Sequence, residues 1–165
     1  MKLYLLIILI IFLLAGILLG FNETFLIVRE LESGDIIWNS KVYDGSKFII
    51  RYTHSVHLTP VLEYFKVDGC KLILYGTDYQ SYGAGLPFSE DDLPGEYLLE
   101  EGFLKVRDIN KVIGLIPLRV GNYAKHKLVF NSKEYHLYEK VKGVVEIKVS
   151  SFSFFDRLRL GVDLL

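Results

Sequence analysis

Apolar and polar positions alternate along much of the chain, most clearly in Lys47-Phe-Ile-Ile-Arg-Tyr-Thr-His-Ser-Val-His-Leu-Thr-Pro-Val-Leu-Glu-Tyr-Phe-Lys-Val67. Successive side chains of a strand point to opposite faces, so Phe48, Ile50, Tyr52 and His54 share one face. Beyond them Val61, Glu63, Phe65 and Val67 share a face, because Lys66 and Asp68 need the wet side. The alternation breaks at His57-Leu58-Thr59-Pro60, which predicts two strands joined by a loop. Antiparallel pairing around that break sets Tyr52 opposite Phe65, Ile50 opposite Val67 and His54 opposite Glu63. Two polar residues on an otherwise apolar face then meet. Asp68-Gly69 between apolar runs is a strong hairpin signal. A two-residue turn there pairs Val67 with Cys70, Phe65 with Leu72 and Glu63 with Leu74, and makes Cys70, Leu72 and Leu74 the inward face of a third strand.

Other short runs read as strands: Thr24 to Arg29, Ile36 to Trp38, Val112 to Val120, Lys127 to Phe130, Tyr135 to Tyr138 and Val144 to Val149. Glu32-Ser33-Gly34-Asp35, Asp44-Gly45 and Asn131-Ser132 supply turns between them. Leu98 to Val106 is ambiguous. Phe152 to Leu165 reads as a strand or as a short amphipathic helix opened by Ser153. Short strands at regular spacing indicate an all-β antiparallel sandwich or partly open barrel. One such domain accounts for residues 22–165.

A different pattern precedes it. Leu3 to Phe21 carries no charge over nineteen residues, close to the length of a membrane-spanning helix. With no polar face, the run does not fit a half-buried helix of a soluble domain. Lys2 precedes it, and a positive flank stays in the cytoplasm. Residues 22 onward are therefore expected outside the cytoplasm, with 1–21 as a single-pass anchor in the cell membrane. A cleavable signal favours small residues before its exit. Gly20 is small but Leu18 is not, so an uncleaved anchor is the expectation.

Charge and cysteine usage narrow the classes further. Lys+Arg 19 against Asp+Glu 20 leaves no basic excess for nucleic acid. Cys70 is the sole cysteine, so neither an internal disulfide nor a cysteine metal site can form. Against these exclusions stands the predicted His54–Glu63 pair. A carboxylate facing an imidazole can fix its tautomer, orient a ligand or serve as an acid and base. Without a nucleophile or an oxyanion donor it is not a catalytic constellation. His54 and His57 lie three apart, on opposite strand faces, so no metal or other cofactor is expected. Ser55 lies in no nucleophile elbow. Gly83-Ala84-Gly85 reads as a sharp turn, and Glu90, Asp91, Asp92 and Glu96, within the acidic stretch 89–101, as a solvated loop.

Tyr52-x-His54-Ser55-Val56-x-x-Thr59-Pro60-Val61-x-Glu63-x-Phe65, followed by Ser81-Tyr82-Gly83-Ala84-Gly85-Leu86-Pro87, resembles the family of domain of unknown function 1850. The likeness covers most of the chain beyond residue 21. It implies no catalytic residue set, because the family has no established activity. Its members are small exported or anchored proteins, often encoded beside TRAP-type solute transporters of the TAXI class. Where His57 stands, the family commonly has an acidic residue. The resemblance implies an accessory or binding module, not an enzyme, working with such a transporter or its solute-binding protein. The expected ligand or partner rim is His54, Ser55, Thr59, Pro60, Glu63, Tyr82, Gly83 and Gly85. The competing expectations are a small hydrolase or metal-dependent enzyme using His54 and Glu63, and a purely structural domain.

Overall fold

A computed structural model describes residues 2–20, 22–80, 86 and 93–162. Helix α1 (Lys2–Gly20) leads directly into β1 (Asn22–Glu30). Along it, the large side chains from Leu3 to Leu13 are all exposed, from 44% at Ile7 to 73% at Phe12. Among the described residues no helix is long and apolar enough to cross a membrane. The predicted span reaches Phe21, which lies outside the described residues.

The rest of the chain is mostly strand, as expected, in two antiparallel sheets that do not close into a barrel. After β1 come β2 (Ile36–Lys41), β3 (Lys47–Thr53), β4 (Pro60–Asp68), β5 (Lys71–Tyr79), β6 (Glu96–Glu100), β7 (Phe103–Ile113) and β8 (Ile116–Val120). They are followed by β9 (Lys127–Phe130), β10 (Lys133–His136), the one-turn α2 (Leu137–Lys140), β11 (Gly143–Ser153) and α3 (Phe154–Leu160). One sheet has the order β2-β1-β11-β8, the other β10-β9-β3-β4-β5-β7-β6. The core lies between them. Leu26, Val28, Val145, Ile147 and Val149 of the smaller sheet meet Phe48, Ile50, Phe65, Val67, Leu72 and Leu128 of the larger. A second cluster, Val61, Tyr79, Leu93, Val106 and Ile109, extends this core along the larger sheet, and Tyr52 touches both.

Period-two reading finds every predicted strand, with shifted ends. Val112 to Val120 is two strands, because Gly114-Leu115 turns the chain between β7 and β8. The ambiguous Leu98–Val106 is a hairpin of β6 and β7, with Glu101 and Gly102 at positive φ. Tyr135 to Tyr138 is strand only to His136. Asn131 and Ser132 both take positive φ, as a tight hairpin turn requires. At the far end Ser153 caps α3: its hydroxyl accepts from the Asp156 amide, and Gly161 closes the helix with φ 66°.

The central hairpin keeps its predicted faces but not its partners. Tyr52 lies opposite Val61, Ile50 opposite Glu63 and Phe48 opposite Phe65. The loop is Ser55–Leu58, two residues earlier than predicted, closed by His54 N–H to Thr59 O at 2.9 Å. Moving the turn by two residues slides each partner by four, an even number, so no side chain changes face. The next turn is displaced by one. Asp68 pairs with Lys71, so Gly69-Cys70 forms the bend and Cys70 is exposed rather than inward. Val67 meets Leu72 and Phe65 meets Leu74; a bulge after Tyr64 then sets Glu63 opposite Thr77.

Candidate functional site

Glu63 projects from β4 onto the inner face, between Ile50 of β3 and Thr77 of β5. Apolar neighbours on the same face remove it from water, and this desolvation raises the carboxyl above its ordinary value. Its polar partner is the Tyr52 phenol, whose hydrogen bond opposes that rise. Tyr52 is itself shifted upward, first by burial and then by the Glu63 charge. The predicted His54–Glu63 pairing is therefore replaced by Tyr52–Glu63. The residue two places inward along β3 takes the carboxyl because the hairpin closes early.

His54 has a different task. It is buried, and its Nδ1 accepts the amides of Val56 at 3.3 Å and His57 at 3.2 Å. The ring acts as an acceptor cap for the loop, much as an Asx side chain closes a turn. An Nδ1 acceptor fixes the neutral tautomer with the proton on Nε2. The His57 ring stacks on it at 5.1 Å, so the loop returns the second imidazole towards the first despite their spacing. Removing the cap leaves two amides to find other partners. His54→Ala should cost about 1–3 kcal/mol, while His54→Asn, which keeps an acceptor near the amides, should recover part of it. Thermal melts of both variants check this, and an unchanged midpoint in His54→Ala would exclude the capping role.

His126 enters from the segment before β9. It is buried and its ring centroid lies 5.2 Å from that of Tyr52. Burial lowers its pKa, favouring neutral imidazole. The same segment reaches β3 through Thr53 N–H to Ala124 O at 2.7 Å. The end of the larger sheet thus gathers a desolvated carboxyl, a phenol and three imidazoles. Among the described residues, His57 Nε2, Thr59 Oγ1 and His126 Nδ1 are buried without a hydrogen-bond partner. Among the described residues no group of three His, Cys, Asp or Glu side chains is placed to hold a metal ion.

The predicted rim is brought together only in part. His54, Thr59, Pro60 and Glu63 lie along the turn and its following strand. Ser55 is exposed and faces a separate shallow cleft of about 420 Å³ beside Arg119, Tyr123 and Lys142. Tyr82, Gly83 and Gly85 lie outside the described residues, as do positions 89–92 of the acidic stretch. Sequence reasoning placed Tyr52 on the inward face without assigning it to the site. Tyr52 was legible as an inward neighbour of Glu63; nothing local marked His126, which arrives through the pairing of β9 with β3.

It also missed a polar network on the outer face of the larger sheet. Asp78 accepts from the Tyr64 hydroxyl at 2.7 Å and from Arg107 at 2.5 Å, and the guanidinium lies over the Tyr64 ring at 5.2 Å. The Tyr64 phenol is pushed up to about 12, mainly by burial and then by Asp78. Asp78→Asn removes the anionic acceptor and should lower the Tyr64 pKa, leaving burial opposed by the Arg107 charge as the main influences. NMR titration of the tyrosine ring signals, with Tyr64→Phe for assignment, measures that shift.

A family model described as Domain of unknown function (DUF1850) matches residues 48–137, more than half of the chain. The chain belongs to this family. No curated protein and no solved structure matches it. The DUF1850 match opens at Phe48 on β3 and closes at Leu137, just past β10. It therefore encloses Tyr52, His54, His57, Thr59, Glu63 and His126, together with the Tyr64–Asp78–Arg107 network. The strands outside it are β1, β2 and β11, three of the four in the smaller sheet.

Proposed function

We propose that the protein is a membrane-anchored, extracytoplasmic binding module that recognises a polar group at the Tyr52–Glu63 end of its larger sheet. The observation that carries this reading is that, among the described residues, His57 Nε2 and Thr59 Oγ1 at the β3–β4 turn and His126 Nδ1 beside Tyr52 are buried without a partner, while the Tyr52 phenol meets the desolvated carboxyl of Glu63. Buried polar groups ordinarily find partners, and those that do not within the fold are suited to finding one in a ligand. Burial shifts both the Glu63 carboxyl and the His126 imidazole towards their uncharged forms, which favours a group that exchanges hydrogen bonds over one held by net charge.

Anchoring is supported by α1, whose large side chains at 3–13 are exposed and apolar. A helix hydrophobic all round calls for an apolar surrounding. The partner class comes from the family resemblance: a TRAP-type transporter of the TAXI class, or its solute-binding protein. Purification of the full chain from its native membrane in gentle detergent tests this. A transporter subunit recovered in stoichiometric amount, and lost with His57→Ala or Thr59→Ala, is the expected outcome. A protein that emerges alone removes the transporter from the proposal. The raised pKa of Glu63 is the one observation that favours a second reading, a hydrolase using it as acid or base. Such an enzyme would lose turnover in Glu63→Gln while retaining substrate binding.

A further inference from the structure

Helix α3 is arranged the wrong way round for a helix docked on a protein in water. An amphipathic surface helix turns its apolar side chains to the core and its charges to solvent. In Phe154–Leu160 no residue is buried. Phe155 is 58% exposed and Leu158 60%, with Phe154 and Leu160 also exposed. The side chain that turns inward is a charged one. Arg157 pairs with Glu23 at the start of β1 and lies over the Phe25 ring at 5.9 Å. Just beyond the helix, Val162 joins Phe25, Ile27 and Phe152 in a small buried cluster on the outer face of β1 and β11. The helix is thus held to the domain by a salt bridge and its trailing residue, while its apolar side chains stand free.

The sheet register decides where those side chains stand. β1 and β11 pair antiparallel with Asn22 opposite Ser153. The chain leaves α1 two residues before Asn22 and enters α3 one residue after Ser153. Both helices therefore emerge at one end of one strand pair, and α3 touches α1. Whatever apolar phase surrounds the exposed side chains of α1 has its edge at α3.

We propose that α3 is an interfacial helix that lays Phe154, Phe155, Leu158 and Leu160 into the boundary between lipid headgroups and acyl chains. The inference rests on the anchoring of α1 and deepens it. Anchoring by α1 alone gives the domain one point of attachment. A second, shorter contact fixes which end of the sandwich faces the membrane and sets the height of the Tyr52–Glu63 end above it. Arg159, exposed in the last turn, lies within reach of headgroup phosphates through its flexible stem.

Site-directed spin labelling of the full chain tests this. Cys70 is exposed in its turn, so Cys70→Ser gives a background for single labels at Phe155→Cys and Leu158→Cys. Glu32→Cys, in the exposed turn at the far end of β1, is the reference. After reconstitution into vesicles of phosphatidylcholine and phosphatidylglycerol, flotation reports anchoring. Collision with oxygen against a water-soluble nickel chelate reports depth. The expected result is flotation of all three, with the oxygen-to-nickel accessibility ratio at 155 and 158 several-fold above that at 32. If the protein floats but 155 and 158 match 32, α3 lies in water and the proposal falls while the anchor stands. Dipolar broadening between 155 labels in floated protein would place a second copy over this face and also overturn it. A protein that does not float removes the anchor and the interfacial helix together.

Discussion

Phe65→Ala should destabilise the protein by about 3–5 kcal/mol, among the largest losses available to a single truncation. Phe65 is 2% exposed and stacks on Phe48 at 5.1 Å with an interplanar angle of 15°. The two rings are directly opposed across β3 and β4, and Phe48 is opposed in turn by Phe130 of β9. The cavity would therefore open at the centre of the larger sheet, where it packs on Leu26, Ile147 and Val149 of the smaller one. Neighbours there are tied into ladders on both sides and have little freedom to collapse. Urea unfolding of the full chain in detergent gives the midpoint, with Val112→Ala, 59% exposed on β7, as a control expected within about 0.5 kcal/mol of the parent. A loss from Phe65→Ala below about 1 kcal/mol would mean that the two sheets do not pack around this ring.

The same residue shows what alternation can and cannot reveal. That Phe48, Ile50, Tyr52 and Phe65 point inward follows from period two alone, and each does contribute to the core. Which of them meet depends on where the turn closes, and that was set by the His54 ring capturing the Val56 and His57 amides. Proline at 60 suggested the break; in the structure it opens β4 instead, a place where its missing N–H costs little. Bulges after Tyr64 and Leu74 shifted the next two registers and hid the alignment of Tyr64, Asp78 and Arg107. The His54–Glu63 pair was a product of the assumed register. Glu63 as an inward carboxyl was not, and it remains the centre of the site. His126 was out of reach because only the long-range pairing of β9 with β3 brings it to Tyr52. Ser153, by contrast, is a local signal: the stretch read as a strand or as a helix opened by Ser153 is strand up to that residue and helix beyond it.

Glu63→Gln should invert the pH dependence of stability above the ordinary carboxyl value of 4.5. Burial raises the folded-state pKa of Glu63 above its unfolded value, so the folded protein retains a proton that the unfolded chain releases. Its contribution is full below about 4.5 and is lost as the pH rises through the folded pKa. His126 works in the other sense. Its folded pKa lies below the ordinary 6.5, so its contribution is full above that value and is lost as the pH falls through the folded pKa. In the parent protein the two windows oppose each other between these limits and flatten the profile. Glutamine keeps a donor and an acceptor for Tyr52 but cannot ionise. The variant should therefore match the parent near pH 4.5, rise as His126 deprotonates, and exceed the parent at neutral and mildly alkaline pH. His126→Asn should show the complementary profile, stability falling steadily above 4.5. Denaturant midpoints across this range decide the matter. Parallel curves for the parent and Glu63→Gln would show that Glu63 is solvated, and with it would go the desolvated carboxyl on which the binding site is built.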